Sequence, residues 1–199
     1  PHTHADSWGD DSREYTLRAQ RVDQFQWDHP DFLSLWAAGN TGPSNGSVLE
    51  PATSKNAVAV GASANGNSTD LASFSAHGPT GEGLIAPLIV APGKSIHSAR
   101  SDNQNNTYND GYGDMSGTSM ATPIAAAASI IIEQYFMEGF YPDGARRSGP
   151  GFQSSGPLRK AILAASGRDQ TGGAYVTGTI PDFSQGWGKI DLSNALYLA

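Results

Sequence analysis

Gly117-Thr118-Ser119-Met120-Ala121-Thr122-Pro123 is the stretch on which the reading of this chain turns. A glycine hands a serine to the first turn of a long apolar segment, Thr118 to about Met137, whose Ala and Ile content predicts a helix. The start of a helix leaves N–H groups unpaired and carries partial positive charge. That setting suits an attacking hydroxyl and the oxyanion formed after attack. Proline inside a helix costs roughly 3 kcal/mol, and only the early position of Pro123 makes it tolerable. With almost no polar face, this helix is expected to be buried.

Moving outward from it, residues 101–114 read as a polar loop dense in Asn, Asp and Gly. Short apolar runs precede that loop: Phe32–Ala37 ending at Gly39, Ala57–Ala62, and Leu88–Val90, each the length of a buried strand. Residues 12–29 carry a rough helical spacing through Tyr15, Ala19, Val22 and Phe25, stopped by Pro30. Beyond the long helix, 139–156 is a Gly, Pro and Ser connector, Pro157 opens a helix over 158–165, and a last short helix is expected over 192–198. Buried strands alternating with helices predict an α/β domain with a largely parallel sheet. In such sheets chemistry gathers at the carboxyl ends of strands, where Gly39 and Asn40 stand.

Composition narrows the function. The 199 residues fit one domain or a large piece of one, and 24 glycines with 12 prolines imply many tight turns. The net charge is −7, and no basic run exceeds Arg146-Arg147, so a nucleic-acid footprint is missing. No apolar run reaches the length of a membrane span. The absence of cysteine removes disulfides, thiolate metal sites and a cysteine nucleophile. The chain opens Pro1-His2-Thr3-His4, with neither an initiator Met nor a signal peptide, as though upstream sequence had been cut away.

The 117–123 segment resembles the nucleophile motif of the subtilisin-like serine proteases. Further segments agree in the same order: Ala37-Ala38-Gly39-Asn40, Phe74 to Thr80, Val90-Ala91-Pro92-Gly93, Gly186 to Asp191, and Ser7-Trp8-Gly9. The resemblance implies a subtilisin-like three-layer sandwich with a mostly parallel sheet, incomplete at its N-terminal side. It implies a secreted endopeptidase acting on polypeptides through an acyl-enzyme. Ser119 would attack the scissile carbonyl, and Asn40 would donate its amide to the oxyanion beside the Ser119 N–H. Ala37, Ala38 and Gly39 would wall one side of the primary specificity pocket, with Ser7, Trp8 and Gly9, on a strand, walling the other. Two departures are visible: Leu88 where the family usually has Asp, and Ala52 where Gly is common at the pocket floor.

The family orders its triad Asp, His, Ser. Of His2, His4, His29, His77 and His97, none sits in the family's "HGTH" helix start. A serine without a base is a weak nucleophile. The expectation is therefore that residues 1–199 are the C-terminal portion of a catalytic domain, that its Asp and His lie upstream, and that the chain alone is inactive. The alternative is a pseudoprotease or a binding module on the same fold. An α/β-hydrolase fails on order, because its histidine follows the serine. No cofactor is needed for this chemistry. Structural calcium is common in the family, and the oxygen-rich 101–114 loop suits it chemically, but the spacing fits no EF-hand, so a surface loop is expected there and the ligands stay unassigned. Asp28-His29-Pro30-Asp31 is read as solvated, and the sequons at Asn45, Asn67 and Asn105 bear on function only in a secreted eukaryotic protein.

Overall fold

In a computed structural model, residues 2–147, 149, 151–173 and 175–199 are described. Ser148 and Pro150 of the expected 139–156 connector lie outside them. Four strands form one parallel sheet in sequential order: β1 Thr3–Asp6, β2 Leu33–Ala37, β3 Val58–Ser63 and β4 Ile89–Pro92. Registers run Ala5 against Leu35, Leu35 against Val58, and Val60 against Ile89. A separate antiparallel hairpin joins β5 Ile96–Ala99 to β6 Tyr112–Met115. Three helices complete the order: α1 Leu17–Asp28, α2 Thr118–Met137 and α3 Gly156–Ala165.

The apolar runs become strands because both faces of the sheet are covered. Leu33, Leu35, Val58, Val60 and Ala62 point into one core with α2 and with Leu163 of α3. Trp36, Ala38 and Ala59 point the other way, into a second core against which Val22 of α1 packs. Helices thus lie on both sides of the sheet, in three layers. Fully burying a Leu or Ile such as Leu35 or Ile132 contributes about 1.5–3 kcal/mol each.

Several boundaries differ from expectation. α1 starts at Leu17 rather than residue 12, because the Thr16 hydroxyl caps it by accepting from the Arg18 N–H at 3.2 Å. β1 and the 96–115 hairpin were not legible, being short and polar. Instead of a helix over 192–198 there is a single 3-10 turn, Leu192–Asn194, capped by Asp191. The sharpest difference is in α2. Ala121, Ala125, Ile132 and Phe136 face the sheet, but Ile130 and Ile131 are 53% and 50% exposed and Ile124 and Met137 are open too. A 100° step per residue carries the second apolar stripe away from the sheet. Among the described residues nothing covers it.

Candidate active site

Two strand ends and one helix start meet at the carboxyl edge of the sheet. Gly39, at φ +115°, turns the chain out of β2 and presents Asn40 to solvent. The Asn40 Oδ1 accepts from the Thr118 N–H at 2.8 Å and lies 3.1 Å from the Thr118 hydroxyl. With the carbonyl side held by those donors, the Nδ2 side of the amide is left to point outward. Thr118 is a positioning residue that sequence reading passed over, although it lies inside the motif.

Gly117 precedes the helix, and its missing side chain matters. A Cβ built there would stand 3.5 Å from Asn40 Nδ2 and 3.6 Å from the Ser119 backbone nitrogen. Two donors therefore border one small space that only a glycine keeps open. In the first turn of α2, the Ser119 N–H has no acceptor among the described residues. Asn40 and Ser119, 79 positions apart by number, both stand beside Gly117.

Ser119 is half-buried, and its hydroxyl donates to the Ser7 carbonyl at 3.1 Å. Ser7 answers by donating its own hydroxyl to the Ser119 carbonyl at 2.9 Å. Ser7, Trp8 and Gly9 are exposed and lie just past the end of β1, so the strand expected there stops at Asp6. The indole of Trp8 packs edge-on against Trp36 at 5.3 Å and donates to Asp6 Oδ1 at 3.2 Å, under the Arg18 guanidinium. Ala37 and Ala38 are buried, and the carbonyls of Ala38 and Gly39 accept from the Leu49 and Ala76 N–H groups. Ala52 is also buried, its N–H donating to the Leu49 carbonyl. Gly39 lies against the Leu49 side chain and Gly9 against the Glu50 carbonyl and Leu49 Cβ.

None of the five histidines reaches the Ser119 hydroxyl. His2 bonds Glu133 at 2.7 Å and His4 lies 3.0 Å from Asp6. His29 stacks on Phe25, and His77 is buried. His97 pairs with Asp114 at 2.8 Å and stacks on Tyr112. Its partner Asp114 lines a groove running along α2 to Ser119, but His97 itself does not. No group of three His, Asp or Glu converges to hold a metal among the described residues. In the 101–114 loop, Asp102 spends its oxygens on the Thr107 hydroxyl and Gln104 N–H, which hold its carboxyl below the usual range.

The Subtilase family model matches residues 2–188. The serine protease/ABC transporter B family protein tagD of Dictyostelium discoideum is 28% identical over 296 residues, covering 98% of this chain and 16% of its own length. The serine protease AprX of Bacillus subtilis is 40% identical over 111 residues, covering 49% of this chain and 25% of its own. Among solved structures, the prenylagaramide maturation protease PagA superposes with TM-score 0.69 at 22% identity, over 98% of this chain and 60% of that one. A psychrophilic protease, S41, gives 0.67 at 27% identity, over 96% and 57%. The chain thus spans a quarter or less of these curated relatives and under two thirds of these solved chains.

Proposed function

This chain belongs to the subtilase family, and on that premise we propose that it is the nucleophile-bearing C-terminal portion of a serine endopeptidase domain. Ser119 attacks the scissile carbonyl of a polypeptide, and an acyl-enzyme forms. Asn40 Nδ2 and the Ser119 N–H stabilise the tetrahedral oxyanion. The observation that carries this reading is the shared space beside Gly117, bordered by both donors at 3.5–3.6 Å and next to the serine. Fixed donors of this kind act where charge develops, without reorganising during the reaction.

The base is supplied by an upstream part of the same domain. A backbone carbonyl, the present partner of the Ser119 hydroxyl, cannot take up its proton at neutral pH. The uncovered stripe of α2 and the unpaired outer edge of β1 offer apolar surface and backbone groups for that upstream portion to cover. A groove of about 730 Å³ between α2 and the β5–β6 hairpin leads to Ser119 from that side.

The test is labelling with a simple fluorophosphonate. Full-length protein should be modified at Ser119, Ser119→Ala should not, and the purified 199-residue chain should react and turn over peptides negligibly. A full-length protein that resists the probe while remaining folded would establish the non-catalytic alternative. Turnover by the isolated chain would place the base within it.

A further inference from the structure

We infer that Leu49 fills the specificity pocket, so that the enzyme cleaves only after residues with small side chains. This rests on the protease reading above, which places the side chain preceding the cleaved bond between the 7–9 and 37–39 segments. Each of those segments carries a glycine, and the Leu49-Glu50 segment lies against both. A Cβ built on Gly39 would lie 3.0 Å from Leu49 Cγ and 3.1 Å from Cδ1. One built on Gly9 would lie 3.0 Å from the Glu50 carbonyl oxygen and 3.5 Å from Leu49 Cβ. The isobutyl group therefore occupies the space that two side-chain-free walls leave between them.

The backbone holds it there. The Leu49 N–H donates to the Ala38 carbonyl at 3.0 Å, fixing it to one wall. Its neighbour Glu50 donates to Ser12 at 2.8 Å and accepts from the Asp10 N–H at 2.9 Å, fixing it to the other. The Glu50 carboxylate is buried at the start of α1, where it accepts from the Thr16 hydroxyl and lies 3.5 Å from the Arg18 guanidinium. Leu49 cannot retreat without breaking these ties. Leu49 is half-buried. A side chain entering between these segments would meet the Leu49 isobutyl group, so small groups are expected to be accepted and an aromatic ring rejected. Ala52, where sequence comparison expected the pocket floor to change, instead lies beneath and bonds the Leu49 carbonyl.

The experiment uses full-length protein and three covalent probes of the nucleophile: a simple fluorophosphonate without a peptide, and two peptidyl phosphonates carrying Ala or Phe next to phosphorus. The Ala probe should react about 100-fold faster than the Phe probe, at the scale that a few methylenes command in a closed pocket. Leu49→Ala should raise the Phe rate by about 10-fold or more and so narrow the Ala-to-Phe ratio. Leu49→Val should fall between. Equal rates for the two peptidyl probes in the wild-type protein, or an unchanged ratio in folded Leu49→Ala, would overturn the inference while fluorophosphonate labelling keeps the protease reading. Failure of all three probes on folded protein removes both.

Discussion

Ser7 and Ser119 hold one another through two hydrogen bonds, each hydroxyl donating to the other's carbonyl, at 2.9 and 3.1 Å. The exchange has its origin in Pro123. An ordinary residue there would donate its N–H to the Ser119 carbonyl four positions back, and proline has none to give. Ser7 supplies the missing donor, so the helix-breaking residue of the motif ties the nucleophile to the end of β1. Ser7→Ala should therefore lower stability by about 1 kcal/mol, the worth of one such bond. Chemical denaturation of the full-length protein, beside its rate of fluorophosphonate labelling, would register this. An unchanged midpoint would mean that water satisfies the Ser119 carbonyl equally well.

Asn40→Leu removes the outward-facing amide. In the full-length enzyme kcat should fall by about 10²–10³ with KM little changed, as when one oxyanion donor is lost. Gly117→Ala tests the same space from the other side, since its methyl would stand between the two donors. It should also lower kcat, with the melting temperature nearly preserved. A loss appearing in KM instead would indicate substrate binding rather than oxyanion stabilisation.

His77 is 1% exposed, and neither ring nitrogen has a partner among the described residues. Burial pulls its pKa below the ordinary 6.5, with the Asp182 charge opposing. The folded state then holds this ring neutral while the unfolded chain protonates it below about pH 6.5, so unfolding takes up a proton as pH falls. Stability should be fully present above that pH and decline beneath it, by at most about 1.4 kcal/mol per pH unit, until the folded-state pKa is reached. Melting of wild type and His77→Val between pH 8 and pH 5 should show a shallower acid loss in the variant. Parallel curves would show that His77 does not titrate differently in the two states.

Arg159 is fully buried and ties three elements together. Its Nη1 donates to Glu133 of α2 at 2.9 Å and to Thr3 of β1 at 2.8 Å, and Nη2 donates to the His2 carbonyl. Arg159→Met leaves the Glu133 carboxylate short of its main partner, which should cost about 3–5 kcal/mol by urea unfolding. Adding Glu133→Leu should recover part of that loss. Additive losses in the double variant would mean that the two groups stabilise the fold independently.

The helix over Thr118–Met137 and the strands at 33–37 and 58–63 were legible because each is apolar and periodic enough to declare itself locally. β1 was not. Its Thr-His-Ala-Asp pattern is polar at alternate positions and becomes a strand only through its parallel partner β2. The exposed stripe of α2 escaped notice because composition records how apolar a helix is, not which side finds a partner.

For the site, the amino-acid order marked a serine at a glycine-led helix start and an asparagine at a strand end, and the resemblance to the subtilisin-like pattern singled out Ser119 and Asn40 from them. It carried no sign that Leu49 would stand between Gly9 and Gly39. Gly9 stands 40 positions before Leu49 and Gly39 ten, and their meeting is set by main-chain bonds from Leu49 to Ala38 and from Glu50 to Asp10 and Ser12. Chemistry that resides in one side chain and its immediate turn is written in sequence. The size of a cavity is a distance between remote backbones, and only the packed sheet and its flanking turns settle it.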